Sequence, residues 1–228
     1  MTDPYKTFVL VHGAWHTGWC WHSVAKRLEA LGHAVHAPDL PLEGSDRDLE
    51  TLDALLDSVS KPQSEIVLVG HSYGGILISQ AASGRQDIDH LVYVCAFCTE
   101  KDEPTQDYVG GEFLTPLAAA LQIEHDRLRV DGDQATSVFY ADCPPDLAAD
   151  AIGLLRPMAM GELSTQREPG WKTISSTYVE CLRDRAVHPD AQRKMSRNAT
   201  HVVQLDTDHS PFLSMPEELV EILINAGG

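Results

Sequence analysis

The sequence predicts an α/β fold of about six mainly parallel strands, with helices on both faces and a helical lid inserted after the fourth strand. Three observations carry this. Short runs of four or five apolar residues alternate with amphipathic helical segments, the pattern of strands buried on both faces. The alternation stops after Cys98 and resumes near Ser176. The chain, at 228 residues, is also long enough for one deep core: folded and extended surfaces of roughly 10,000 and 36,000 Å² leave about 70% buried.

The first strand is Phe8-Val9-Leu10-Val11, which ends at His12-Gly13. Residues 19–31 read as a helix, with Val24, Leu28 and Leu31 on one face and Gly32 as the stop. Ala34-Val35-His36-Ala37 is the second strand, closed by Pro38-Asp39. Residues 49–59 are helical, because Leu52, Leu55, Leu56 and Val59 are spaced i, i+3, i+4, i+7. Ile66-Val67-Leu68-Val69 is the third strand, a helix follows over about 73–83, and residues 91–95 form the fourth strand. Between 99 and 172 the helix-like segments 113–123 and 145–155 stand among Pro and Gly, with no convincing strand. Residues 176–182 and 201–205 are the last two strands, and 216–225 form a closing helix that carries Leu219, Val220, Leu223 and Ile224. The chain therefore reads as one domain, with its core at 1–98 and 173–228 and its lid at about 99–172.

Composition excludes several roles. Against 17 Lys and Arg stand 34 Asp and Glu, a net charge of −17. Such a surface repels phosphate backbones and anionic lipid, so neither nucleic acid nor a membrane is an expected partner. The amino terminus shows no secretory signal pattern, and no apolar run approaches a membrane span. Five scattered cysteines, an odd number, read as reduced thiols of a cytoplasmic protein; Cys95-x-x-Cys98 starts within a strand rather than opening a helix.

Gly70-His71-Ser72-Tyr73-Gly74 matches G-x-S-x-G. Chance supplies roughly 0.08 such matches in a chain of this length, and this one lies between a strand and a helix. That is the setting of a nucleophile elbow, which exposes a serine hydroxyl at the top of a sheet. A serine hydroxyl needs a base. Of eleven histidines, His22, His33 and His90 read as solvated, whereas His209 follows the last strand, where loops converge on the same crevice as Ser72. The base needs a carboxylate to fix its tautomer. Asp184, just past the penultimate strand, completes the chain order Ser72, Asp184, His209; Asp206 and Asp208 are rivals that share a short loop with the histidine. An oxyanion hole would take the backbone N–H of Tyr73 and that of Ala14, with Gly13 allowing close approach. His12-x-x-x-His16 lacks the glutamate and the helix of a zinc motif, so no metal is expected.

The opening from Phe8 to His16, with Trp19 and Trp21 following, resembles the plant methylesterase and hydroxynitrile lyase branch of the α/β-hydrolases and their bacterial esterase relatives. The block from Gly70 to Gly75, the Arg183-Asp184-Arg185-Ala186 turn and Asp208-His209-Ser210-Pro211-Phe212 continue the likeness. It implies a serine esterase of small apolar esters, without cofactor, under a helical cap, often a homodimer. By that likeness Ser72, His209 and Asp184 are the triad and Ala14 and Tyr73 are the oxyanion donors. Gly13, Trp15, His16 and Phe97 are the expected substrate contacts. Hydroxynitrile lyases of this family place Thr or Asn where this chain has Gly13. The Thr-bearing type has Lys after the histidine, where this chain has Ser210. A lyase, and a ligand-binding protein with little turnover, are the alternatives to the esterase. Trp15, Trp19, Trp21, Tyr73, Phe97, Phe139, Tyr140, Met158, Met160, Trp171 and Phe212 are candidates for an apolar pocket.

Overall fold

Strands that are apolar on both sides need cover on both faces, and the computed structural model supplies it; it describes residues 5–61, 65–161 and 163–227. The chain runs β1 (Lys6–Val11), α1 (His22–Ala30), β2 (Ala34–His36), α2 (Ser45–Val59), β3 (Glu65–His71), α3 (Gly74–Ala81) and β4 (Ile88–Val94). An inserted segment follows, with α4 (Pro116–Ala120), β5 (Leu121–Glu124), β6 (Arg127–Val130), α5 (Gly132–Phe139), α6 (Pro145–Gly153) and β7 (Met158–Ala159). The last elements are β8 (Ser176–Cys181), α7 (Pro189–Met195), β9 (His201–Leu205), α8 (Pro211–Ser214) and α9 (Pro216–Asn225).

The main sheet has the order β2-β1-β3-β4-β8-β9 and every pair is parallel. The chain steps outward from β1 to β2, returns past β1 to β3, then continues in one direction. Right-handed crossovers therefore put α1 on one face and α2 and α3 on the other. Consistent with this, α1 packs against α9 and α2 against α3. Phe8 to Val11, Ile66 to Val69 and Leu91 to Val94 are almost wholly buried. The accessible surface is 10000 Å², as mass scaling requires. No described helix is long and apolar enough to cross a membrane, and all five cysteines are free and buried.

The inserted segment corrects the sequence reading. In place of one helix over 113–123, α4 ends at Ala120 and the chain enters a hairpin, so β5, β6 and β7 form a three-stranded antiparallel sheet. Leu121↔Val130 and Ile123↔Leu128 alternate with Gln122↔Arg129 and Glu124↔Arg127. This period of two is hidden because the turn is His125-Asp126 rather than a glycine turn, with His125 at φ 58°. The segment is stitched to the core by main-chain bonds: Arg156 N–H to the Trp15 carbonyl (2.7 Å) and Ala159 N–H to the Leu42 carbonyl (2.8 Å). Residues 19–31 also divide, into a 3₁₀ turn (Gly18–Trp21) and α1. The fourth strand stops at Val94, and Cys95 turns at φ 38°.

Lys6 closes the fold at its far end. Its buried ammonium donates to the carbonyls of Ile224 and Ala226, both at 2.8 Å. A cation there complements the carboxyl-terminal dipole of α9. Lys6→Met keeps the stem and strands both carbonyls. The expected loss is about 1.5–3 kcal/mol, the range for a hydrogen bond to a charged group, read as a lower urea midpoint at unchanged slope.

Candidate active site

Ser72 lies between β3 and α3 at φ 51°, a left-handed conformation that ordinarily costs about 1–3 kcal/mol. The surroundings hold it there. Its N–H donates to the Val94 carbonyl (3.2 Å), and its own carbonyl accepts from Gly75 N–H (3.0 Å) and Phe97 N–H (3.1 Å). The turn is tight enough to exclude side chains: a Cβ on Gly70 would stand 2.7 Å from the Gly74 oxygen, and one on Gly75 would stand 2.5 Å from the Phe97 oxygen.

Asp184 and His209 meet through a 2.7 Å bond between His209 Nδ1 and Asp184 Oδ2, with both side chains buried. A carboxylate accepts, so Nδ1 donates in this bond. Asp184 Oδ1 takes the N–H groups of Ala186 (2.7 Å) and Val187 (2.9 Å), and Oδ2 also accepts from Gln192 Nε2 (2.8 Å). Gln192, on α7, also bonds the Val187 carbonyl and the Cys181 N–H, which locks the turn. The rivals point elsewhere. Asp206 is exposed and pairs with Arg183. Asp208 is buried and accepts from the N–H groups of Asp142 (2.8 Å) and Ser210 (2.9 Å), and burial raises its pKa.

Ala14 and Tyr73 both line the cavity that Ser72 opens on, and neither N–H is taken by a hydrogen bond within the described residues. Tyr73 turns its hydroxyl inward, donating to Asp48 Oδ2 (2.8 Å), while Asp48 Oδ1 accepts from Leu42 N–H (2.7 Å). Burial raises the pKa of both groups. Asp48 went unread in the sequence, although it lies four and eight residues before Leu52 and Leu56 on the apolar stripe of α2. Its inward position also explains why α2 begins at Ser45 rather than Leu49.

The cavity measures about 260 Å³. Ala14, Trp15, Ser72, Tyr73, Phe97, Ala186 and Val187 line it from the core, and Leu117, Leu121, Leu128, Met158, Met160 and Leu163 are among those lining it from the inserted segment. Among the described residues no charged side chain lines it; Thr105 and Thr115 supply hydroxyls. Of the aromatic and methionine candidates, Trp19, Trp21, Phe139, Tyr140, Trp171 and Phe212 lie outside it. So do two expected substrate contacts. Gly13 packs beneath the elbow, where a Cβ would come 2.9 Å from Ser72 Cβ. His16 is buried behind the loop, with Nδ1 donating to the Ala14 carbonyl (2.7 Å) and Nε2 accepting from the Tyr140 hydroxyl (2.9 Å). A wider groove of about 680 Å³ lies by the opposite ends of β4, β8 and β9, bordered by Asp89, His90, Ser175, His201, Glu218 and Glu221.

The solvated reading of His33 and His90 is corrected too. Both are buried; His90 Nε2 lies 2.9 Å from Thr177 Oγ1, and His33 accepts from Lys6 N–H. His22 is half-buried and stacks on Trp19. Among the described residues, one trio of metal-ligating atoms lies within 4.8 Å of one another, from His71, Cys95 and His209. His71 Nε2 and the Cys95 thiol bond the His209 carbonyl, and His209 Nδ1 bonds Asp184.

His12 and His16 are held neutral: burial lowers them to about 4 and about 3. His12 shows why, since Nδ1 donates to the Gly13 carbonyl and Nε2 must accept from Leu40 N–H. A folded pKa below the unfolded value of 6.5 means this stability is present above pH 6.5 and is lost as pH falls toward 4. His16→Gln preserves a donor and an acceptor but cannot titrate. The slope of unfolding free energy between pH 6 and 4 is expected to shrink by about 1.4 kcal/mol per pH unit, measured from urea curves at successive pH values.

With this geometry in place, the comparisons are specific. A model of the alpha/beta hydrolase family matches residues 8–222. The alpha/beta hydrolase nvfD of Aspergillus novofumigatus is 31% identical, over 96% of each chain. Methylesterase 2 of Arabidopsis thaliana is 31% identical, over 95% of this chain and 94% of its own. The crystal structure of a pyrethroid hydrolase from Sphingobium faniae JZ-2 superposes with a TM-score of 0.78 at 27% identity, covering 96% of both chains. The chain belongs to the alpha/beta hydrolase family, in its methylesterase-like branch.

Proposed function

We propose that the protein is a serine carboxylesterase acting on small, uncharged, mostly apolar esters. The observation that carries this is the buried Asp184–His209 pair, whose imidazole lies 4.5 Å from the ring of His71, the residue before an elbow serine that opens on an apolar cavity. Relatives named methylesterase and pyrethroid hydrolase support ester hydrolysis as the reaction class.

In this reading Ser72 Oγ attacks the ester carbonyl as His209 Nε2 takes its proton. Asp184 holds the imidazole in the Nδ1–H tautomer and stabilises the imidazolium that forms. The developing oxyanion lies between the N–H groups of Ala14 and Tyr73, each such donor being worth about 2.7–4 kcal/mol in the transition state. His209 returns the proton to the leaving alcohol, and water then releases the acyl group by the same route reversed. The inserted segment is the lid: its leucines and methionines exclude water and set the shape of the acyl and alcohol sites. A hydroxynitrile lyase would have to hold a departing cyanide, and no described residue of the cavity lining is a cation.

A panel of p-nitrophenyl esters with an organophosphonate tests the assignment. Turnover of short-chain or aryl esters, one adduct on Ser72 by mass spectrometry and negligible cyanide release from mandelonitrile are expected. Absence of both labelling and hydrolysis would leave the ligand-binding reading standing, and Ser72-dependent cyanide release exceeding ester turnover would make the protein a lyase. Asp184→Asn is expected to lower kcat by about 10³–10⁴-fold, with Asp206→Asn close to the parent. A crippled Asp206→Asn would show that the acid is misassigned.

A further inference from the structure

His71 precedes Ser72 in the chain and touches His209 in space. Its Nε2 lies 2.9 Å from the main-chain oxygen of His209. A carbonyl only accepts, so Nε2 carries the hydrogen. The Cys95 thiol donates to the same oxygen at 3.4 Å. The His71 and His209 rings lie 4.5 Å apart, and Phe212 meets His71 edge-on at 4.8 Å. Nδ1 is buried with no hydrogen-bond partner among the described residues, and a Cβ on Gly13 would stand 2.7 Å from it.

We propose that His71 is a positioning residue: as the neutral Nε2–H tautomer it clamps the His209 main chain and so registers the base against the serine beside it. The inference rests on reading Ser72 and His209 as nucleophile and base. Asp184 fixes the His209 ring through its side chain, and Arg183 N–H to the Thr207 carbonyl and Ser210 N–H to Asp208 hold the loop on either side. The clamp acts on the His209 carbonyl itself, and it does so from the residue bonded to Ser72, so strand and base are tied together. A charged clamp would oppose the imidazolium that forms on His209. Burial prevents this by lowering the His71 pKa well below the usual histidine range, with repulsion from His209 and His16 acting in the same sense. Gly13 thereby gains a second reason to lack a side chain, since the ring occupies the space.

The test compares His71→Gln, whose amide nitrogen reaches the position of Nε2, with His71→Asn, which reaches only Nδ1, and His71→Leu. A misplacement of about 1 Å can cost about 10²-fold in rate. The Asn and Leu variants are therefore expected to lose about that much kcat on a p-nitrophenyl ester at unchanged KM, and Gln is expected to recover most of it. Long-range ¹H–¹⁵N spectra of the parent are expected to show His71 as a neutral Nε2–H imidazole from pH 5 to 9. An Nδ1–H tautomer or an imidazolium in that range would overturn the proposal. So would a Leu variant with parental kcat, or a Gln variant no better than Asn. Should Leu unfold, the Gln and Asn pair and the spectrum still decide. Parent turnover that does not need Ser72 would instead defeat the esterase reading; the tautomer, read without turnover, would then judge the hydrogen bond alone.

Discussion

The strained backbone of Ser72 is the constraint on which the other parts depend. A left-handed serine persists only where its surroundings over-determine it. Here the ends of β3 and β4 and the start of α3 supply that hold through the Ser72 N–H and carbonyl. The loop after β1 lies beneath the elbow, where a Cβ on Gly13 would meet Ser72, and the loop after β9 is held to it through His71. Local strain, sheet order and cavity position are thus one arrangement, because parallel strands deliver their carboxyl ends to a single edge.

Around this point polar groups are buried in quantity, each with a defined task. His12 and His16 each donate through one ring nitrogen and accept through the other. Asp184 accepts four hydrogen bonds and Asp48 ties Tyr73 to the entry of α2. These satisfied bonds rigidify the site, while His71 Nδ1 and Ser210 Oγ are buried without a partner among the described residues. The stitches from Trp15 to Arg156 and from Leu42 to Ala159 extend that rigidity into the inserted segment.

Much of this was legible in the sequence. Apolar runs marked each main strand, and G-x-S-x-G with its flanking strand and helix marked the elbow. What escaped has identifiable reasons. The β5–β6 hairpin is four residues per strand and turns on His-Asp, so its alternation was swallowed by the helical spacing before it. Asp48 and Gln192 are polar residues on apolar stripes, and a single sequence gives no sign that such a residue faces inward. His16 was expected at the substrate because it closes a recognisable block, yet the left-handed turn at Trp15 (φ 63°) sends neighbouring side chains to opposite sides of the loop.

The uncharged lining of the cavity bears on what happens after the bond is cut. An ester enters neutral, but its acid ionises at neutral pH, and an unpaired carboxylate in low dielectric is unfavourable by several kcal/mol. No described residue of the lining offers a counterion, and the chain as a whole carries a net charge of −17. An acid formed in such a cavity is therefore the species it retains least, and product release is where the lining acts: for an apolar ester of the proposed kind, the neutral form is held and the anion is let go.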